Sequence, residues 1–115
     1  MSITAEQRGV CERVGSAIAP IDPDAKVGIA IATLGKLPLN ALRLEPEAGT
    51  AGWYIWGGDT LSTNEDFFKP LHASHLAERA PRLVPYLALA PGWRVLLAPG
   101  VEDIWYDNSL LGINR

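Results

Sequence analysis

The residues best suited to chemistry in this chain are two histidines, a few carboxylates and a handful of hydroxyls. His72 and His75 form an H-x-x-H, and Glu78 follows three residues later. Two imidazoles at that spacing can share a metal, but a zinc site needs a third and usually a fourth ligand. The single cysteine, Cys11, is far away in sequence, so carboxylates would have to complete the set. The plainer reading has His75 opening a helix and His72 packing near a strand end. Ser62 and Ser74 invite a nucleophile hypothesis, but the chain has no G-x-S-x-G elbow, and Ser74 reads better as a helix cap. Glu65-Asp66 and Glu102-Asp103 are adjacent pairs; on a strand, neighbours point to opposite faces, so neither pair converges by itself. Asp59, Asp103 and Asp107 could cluster across strands as an acid–base site, although such residues more often cap turns or keep sheet edges soluble. The glycines form neither a Walker loop nor a G-x-G-x-x-G fingerprint.

The aromatic residues carry a stronger signal. GWYIWGGD, from Gly52 to Asp59, places Trp53 and Ile55 on one strand face and Tyr54 and Trp56 on the other. PGWRVLLAPGVEDIWYDNSLL, from Pro91 to Leu111, holds the other two tryptophans. With bulky groups on both faces, one face must be core. The other is covered by helices or left as a patch of the ring types that dominate interface hot spots. Acidic residues flank these rings, and an acidic rim around aromatic anchors suits a basic protein partner and speeds encounter. Trp56, Asp59, Glu102, Asp103, Trp105 and Tyr106 are therefore the candidate partner-binding residues. This reading expects no catalytic residue, cofactor or metal.

These side chains need a scaffold. Thr4 and Gln7 make a capping box, and Val10, Val14, Ala17 and Ile18 form one apolar stripe, so a helix is predicted over 4–19 and ended by Pro20. Val27 to Thr33 reads as a strand whose small face (Gly28, Ala30, Ala32) would admit that helix closely. Asn40 to Leu44 is a second strand, with Leu42 and Leu44 inward and Arg43 outward; Gly52 to Trp56 is a third. Phe67 to Leu71 is a short extended piece in which Pro70 suits an edge. A short helix is expected over 75–80, with a further helical turn from Pro81 to about Leu87. Trp93 to Ala98 and Glu102 to Tyr106 form a hairpin around Pro99-Gly100, and the tail after Leu111 is expected to fray. The predicted fold class is α+β: a mainly antiparallel sheet of about five strands, with the N-terminal helix and the short central helix on one face.

The totals set limits. At 115 residues the chain is a single domain, residues 1–115. It is 48% hydrophobic and 20% charged, which is globular rather than disordered. A net charge of −3, with ten scattered Lys and Arg, excludes the clustered basic surface that nucleic acid requires. One cysteine excludes an internal disulfide. No secretory leader is visible, and the longest apolar run falls well short of a membrane span. A reducing cytoplasm is the expected location.

The runs GWYIWGGD, EDFFKPLHASHL and YLALAPGWRVLLAPGVEDIWYDNSLL resemble the Imm33-like domain family, small bacterial proteins formerly grouped as a domain of unknown function. The resemblance covers about Val27 to Leu111 and is most specific at Pro91 to Asp107, with the N-terminal helix outside it. It implies a link to polymorphic toxin systems and a role as an immunity protein, a stoichiometric inhibitor of a cognate toxin. It fixes neither toxin nor contact residues. Three readings are open at this stage. The chain is a protein-binding domain that occludes a partner, a small ligand- or metal-binding domain or hydrolase using His72, His75 and nearby carboxylates, or a homodimer associating through an aromatic strand edge at Trp53 to Trp56 or Glu102 to Tyr106.

Overall fold

In the computed structural model, residues 3–47, 49–59 and 67–112 are described. Ser62, Glu65, Asp66 and the tail beyond 112 lie outside them. The chain forms an α+β fold, in which the described residues make a six-stranded mixed sheet, one N-terminal helix and one short central helix. The strands are β1 (Lys26–Ile29), β2 (Leu39–Arg43), β3 (Thr50–Gly57), β4 (Lys69–His72), β5 (Trp93–Ala98) and β6 (Val101–Tyr106), in the spatial order β4-β1-β3-β2-β5-β6. Among the described residues only β1 and β3 run parallel; the other four pairings are antiparallel. The sixth strand is β4, the short extended piece with Pro70.

Helix α1 (Ala5–Val14) starts where the capping box places it. The Thr4 hydroxyl accepts from Gln7 N–H at 3.0 Å, and Gln7 Oε1 accepts from Thr4 N–H at 3.1 Å. It stops well before Pro20. Gly15 adopts φ 82°, a left-handed conformation cheap only for glycine, and its N–H and that of Ser16 both turn back to Cys11 O. Helix α2 (Leu76–Arg79) is a single turn between 3₁₀ turns at Ala73–His75 and Pro81–Tyr86. Ser74 lies inside the first of these and caps nothing with its side chain.

Both helices pack on one sheet face, over Val27, Ile29, Ala41, Trp53, Ile55, Val95 and Leu97. The sequence reading assigned α1 to the small face of β1. Instead Val27 and Ile29 meet the helix layer, because they supply the larger apolar area to bury. The small face is filled by rings: a Cβ on Gly28 would come within 2.7 Å of Tyr54 Cδ1, with Phe68 behind it. β1 also ends at Ile29, and Ile31–Thr33 turns as a 3₁₀ helix with Ile31 exposed.

The expectation for β2 is inverted. Leu39, Ala41 and Arg43 face the helix layer, while Leu42 points to the opposite face. Arg43 is buried at 3% exposure. Its Nε donates to Ala51 O at 2.8 Å, and Nη1 donates to Ala19 O at 2.8 Å and Leu89 O at 2.7 Å. The guanidinium also lies 5.7 Å from the Trp53 ring centroid. Burial pulls its pKa down to about 10, so it stays charged at neutral pH. Arg43→Met removes these donors and leaves three main-chain acceptors unpaired, each costing about 1–3 kcal/mol when buried. A loss of about 3 kcal/mol or more is expected, read as a lower urea midpoint; an unchanged midpoint would show that the guanidinium is not what holds those three segments.

Candidate functional site

The β5–β6 hairpin gathers most of the predicted residues, and its register explains how. Pro99-Gly100 is a two-residue turn, so partners across the hairpin sum to 199: Trp93 opposes Tyr106, Arg94 opposes Trp105, and Leu97 opposes Glu102. Directly opposed residues of an antiparallel pair share a face. Glu102, Ile104 and Tyr106 therefore turn toward the helix layer, and Asp103 and Trp105 toward the open face.

On the helix side, Glu102 is clamped. Arg13 donates to both its carboxylate oxygens, at 2.9 and 3.1 Å, and the Tyr86 hydroxyl donates to Oε2. The Arg13 and Tyr86 donors hold the Glu102 carboxyl below its ordinary range. Burial and the neighbouring carboxylate push the Tyr86 phenol up to about 12. Next along the strand, Tyr106 packs edge-on to Trp93, with centroids 5.5 Å apart, and remains 47% exposed. Gly92, at φ 100°, makes room: a Cβ there would meet the Tyr106 ring.

On the open side, the Arg94 guanidinium lies 5.4 Å from the Trp105 centroid and pairs with Asp107 at 3.1 Å. Ser109 and Arg94 hold the Asp107 carboxyl below its ordinary value. Trp105 is half-buried and Asp103 exposed. Val101, which the sequence reading did not single out, is 48% exposed at the hairpin end.

The remaining predicted residues lie elsewhere. Trp56 is 4% exposed, inside a second small core with Ala30, Leu42 and Leu110, and its ring meets Phe68 edge-on at 6.2 Å. It is a packing residue of the open face. Asp59 is exposed beyond the end of β3. The six candidates thus divide into Glu102 and Tyr106 on one face of β6, Asp103 and Trp105 on the other, and Trp56 and Asp59 apart from the hairpin.

His72 and His75 are neighbours, with ring centroids 6.2 Å apart, and both are exposed. His75 Nδ1 is 4.0 Å from the Glu78 carboxylate. No group of three or more His, Cys, Asp or Glu side chains assembles among the described residues. Neither histidine lines the described cavities: a pocket of about 220 Å³ over Gly28, Tyr54 and Phe68, a shallow groove between Arg82, Tyr86 and Glu102, and a small trough between Leu37, Arg79 and Arg82. Among the described residues, no helix is long and apolar enough to cross a membrane.

Architecture and site together define a small single-sheet α+β domain, helix-covered on one face, with an aromatic and acidic hairpin at one end of its sheet. The chain belongs to the Imm33-like domain family, whose family model matches residues 6–107. That span takes in most of α1, which the sequence reading set outside the resembling stretch. No curated protein and no solved structure matches the chain.

The clamp on Glu102 gives a pH test. A carboxyl with a lowered folded pKa contributes stability above its unfolded pKa and loses it as pH falls through the folded value. The wild-type advantage over Glu102→Gln is therefore expected to be full at neutral pH and to shrink below about pH 4.5. On the alkaline side the sign reverses for a phenol held neutral. The advantage over Tyr86→Phe is expected to decline from about pH 10 towards 12. Urea midpoints across pH check both; pH-independent differences would mean that the clamp does not hold in solution.

Proposed function

We propose that this chain is a non-enzymatic protein-binding domain, an immunity protein that neutralises a cognate bacterial toxin in the cytoplasm by occluding it. The observation that carries the reading is the surface of the β5–β6 hairpin. Val101 and Tyr106 are about half exposed there, beside exposed Glu102 and Asp103 and the half-buried Trp105. Large rings held in place by packing lose little freedom on binding, and carboxylates around them favour a basic partner. Membership of the Imm33-like family supports the same role. Arg94 is already taken up by Trp105 and Asp107, so the charge left outward on the hairpin is negative. Binding is stoichiometric in this reading, and the partner surface covered is basic.

The test begins with capture from the native lysate by the wild-type chain and by Trp105→Ala, followed by reconstitution with the purified partner. A one-to-one complex is expected, weakened at least about tenfold, or 1.4 kcal/mol, by Tyr106→Ala or Asp103→Lys. Association is expected to slow as salt rises. Co-expression should restore growth to cells making the partner. A partner whose toxicity is unchanged by this chain, or whose affinity ignores all three substitutions, would overturn the reading.

A further inference from the structure

The two edges of the sheet are built differently. Edge strands present unpaired N–H and C=O groups, and proteins blunt them with lysine, proline, bulges or very short strands. Edge strand β4 is four residues, Lys69–His72, and includes both Lys69 and Pro70; Pro70 has no N–H to offer. At the other edge, β6 is six residues, VEDIWY, with no Lys, Pro or Gly and an unbroken register against β5. Of its two charges, Glu102 is folded back onto Arg13 and Tyr86, and Asp103 stands on the open face of the sheet.

The hydrogen-bond pattern says which backbone groups are free to pair. Asp107 N–H donates to Gly92 O at 2.7 Å, so residue 107 faces β5. In an antiparallel ladder the inward-bonding residues alternate. Residues 105, 103 and 101 therefore bond to β5, and Glu102, Ile104 and Tyr106 direct their N–H and C=O groups away from it. We infer that β6 pairs antiparallel with β6 of a second copy of this chain across a two-fold axis at Ile104, joining two sheets into one.

The register follows from the charges. Outward-bonding residues must face each other, so the axis passes through a residue and not between two. An axis at Asp103 sets Asp103 against its own copy. An axis at Trp105 sets Asp103 against Asp107. Both bring like charges into direct opposition, which destabilises a ladder. An axis at Ile104 sets apolar Ile104 against itself, Glu102 against Tyr106 and Asp103 against Trp105, whose indole N–H is a donor for a carboxylate. This register gathers two copies of Asp103 and two of Trp105 on one continuous open face. The second copy thus completes the hairpin patch. The pairing rests on the edge geometry and not on the immunity reading.

Cysteine crosslinking of the full chain tests it without any toxin. Ile104 and its symmetry mate form a hydrogen-bonded pair about 5.5 Å apart at Cα, within disulfide range. The two Val101 residues are offset by six positions, roughly 20 Å. With mild oxidant, Ile104→Cys is expected to form an intermolecular disulfide and Val101→Cys is not; Cys11 is buried in both. Sedimentation of the unsubstituted chain in the micromolar range is expected to give a dimer. Trp105→Asp sets like charges opposite Asp103 and should weaken the dimer roughly tenfold, and adding Asp103→Lys should restore it. If Trp105→Asp fails to fold, the cysteine pair still decides. A monomer throughout the range, or Val101→Cys crosslinking as fast as Ile104→Cys, overturns the inference.

Discussion

A buried guanidinium holds three separate parts of this domain in place. Arg43 projects from β2 into the helix layer and donates to main-chain carbonyls of Ala19, Ala51 and Leu89. Those carbonyls belong to the chain leaving α1, to the start of β3 and to the segment entering β5. No carboxylate hydrogen-bonds to it among these contacts. Carbonyl dipoles and the Trp53 ring replace water around the charge instead. A buried cation demands a full set of acceptors, so it tolerates few arrangements of those three segments. The Arg43 carbonyl accepts from Gly92 N–H, and the Ile18–Leu89 bridge lies alongside, so the same junction positions the start of the hairpin.

The hairpin inherits that placement and divides its chemistry between two faces. Toward the helices, Glu102 pairs with Arg13 and accepts from the Tyr86 hydroxyl, which ties β6 to both α1 and the 3₁₀ turn before β5. These partners are largely at the surface, so the clamp contributes orientation more than stability. Toward the open face, Arg94 is shared between Trp105 and Asp107. Each ring that remains accessible is thus backed by a residue that fixes its angle. The carboxylate left without such a role on the hairpin is Asp103.

The open face is only partly closed. Leu110, on the turn after β6, packs back onto Ala30, Leu42 and Trp56, and Phe67 and Phe68 add to the same cluster. Trp56 becomes interior as a result. Two tryptophans with similar sequence surroundings, Trp56 and Trp105, end in different environments. A loop and a terminal turn cover one of them, and the Arg94 guanidinium lies over the other, which stays half-buried.

The sequence by itself determined the local elements: the capping box at Thr4, the turn at Pro99-Gly100 and the alternation within β3 and β5. A two-residue turn sets the hairpin register, so the pairs Arg94–Trp105 and Trp93–Tyr106 were already fixed by position. Which face of each strand is covered was not legible. Both faces of β2 and β3 carry bulky side chains, and alternation gives relative orientation without saying where the helices land. Hence Arg43, which reads as an outward charge, is the most confined one. The end of α1 lies at Gly15, before the proline stop at Pro20, because a left-handed glycine closes the helix first. Only the tertiary structure decided the Glu102 clamp, since Arg13 lies 89 positions away, and the burial of Trp56 under Leu110. Contacts between residues so distant in sequence depend on how the layers stack, and local spacing does not encode that.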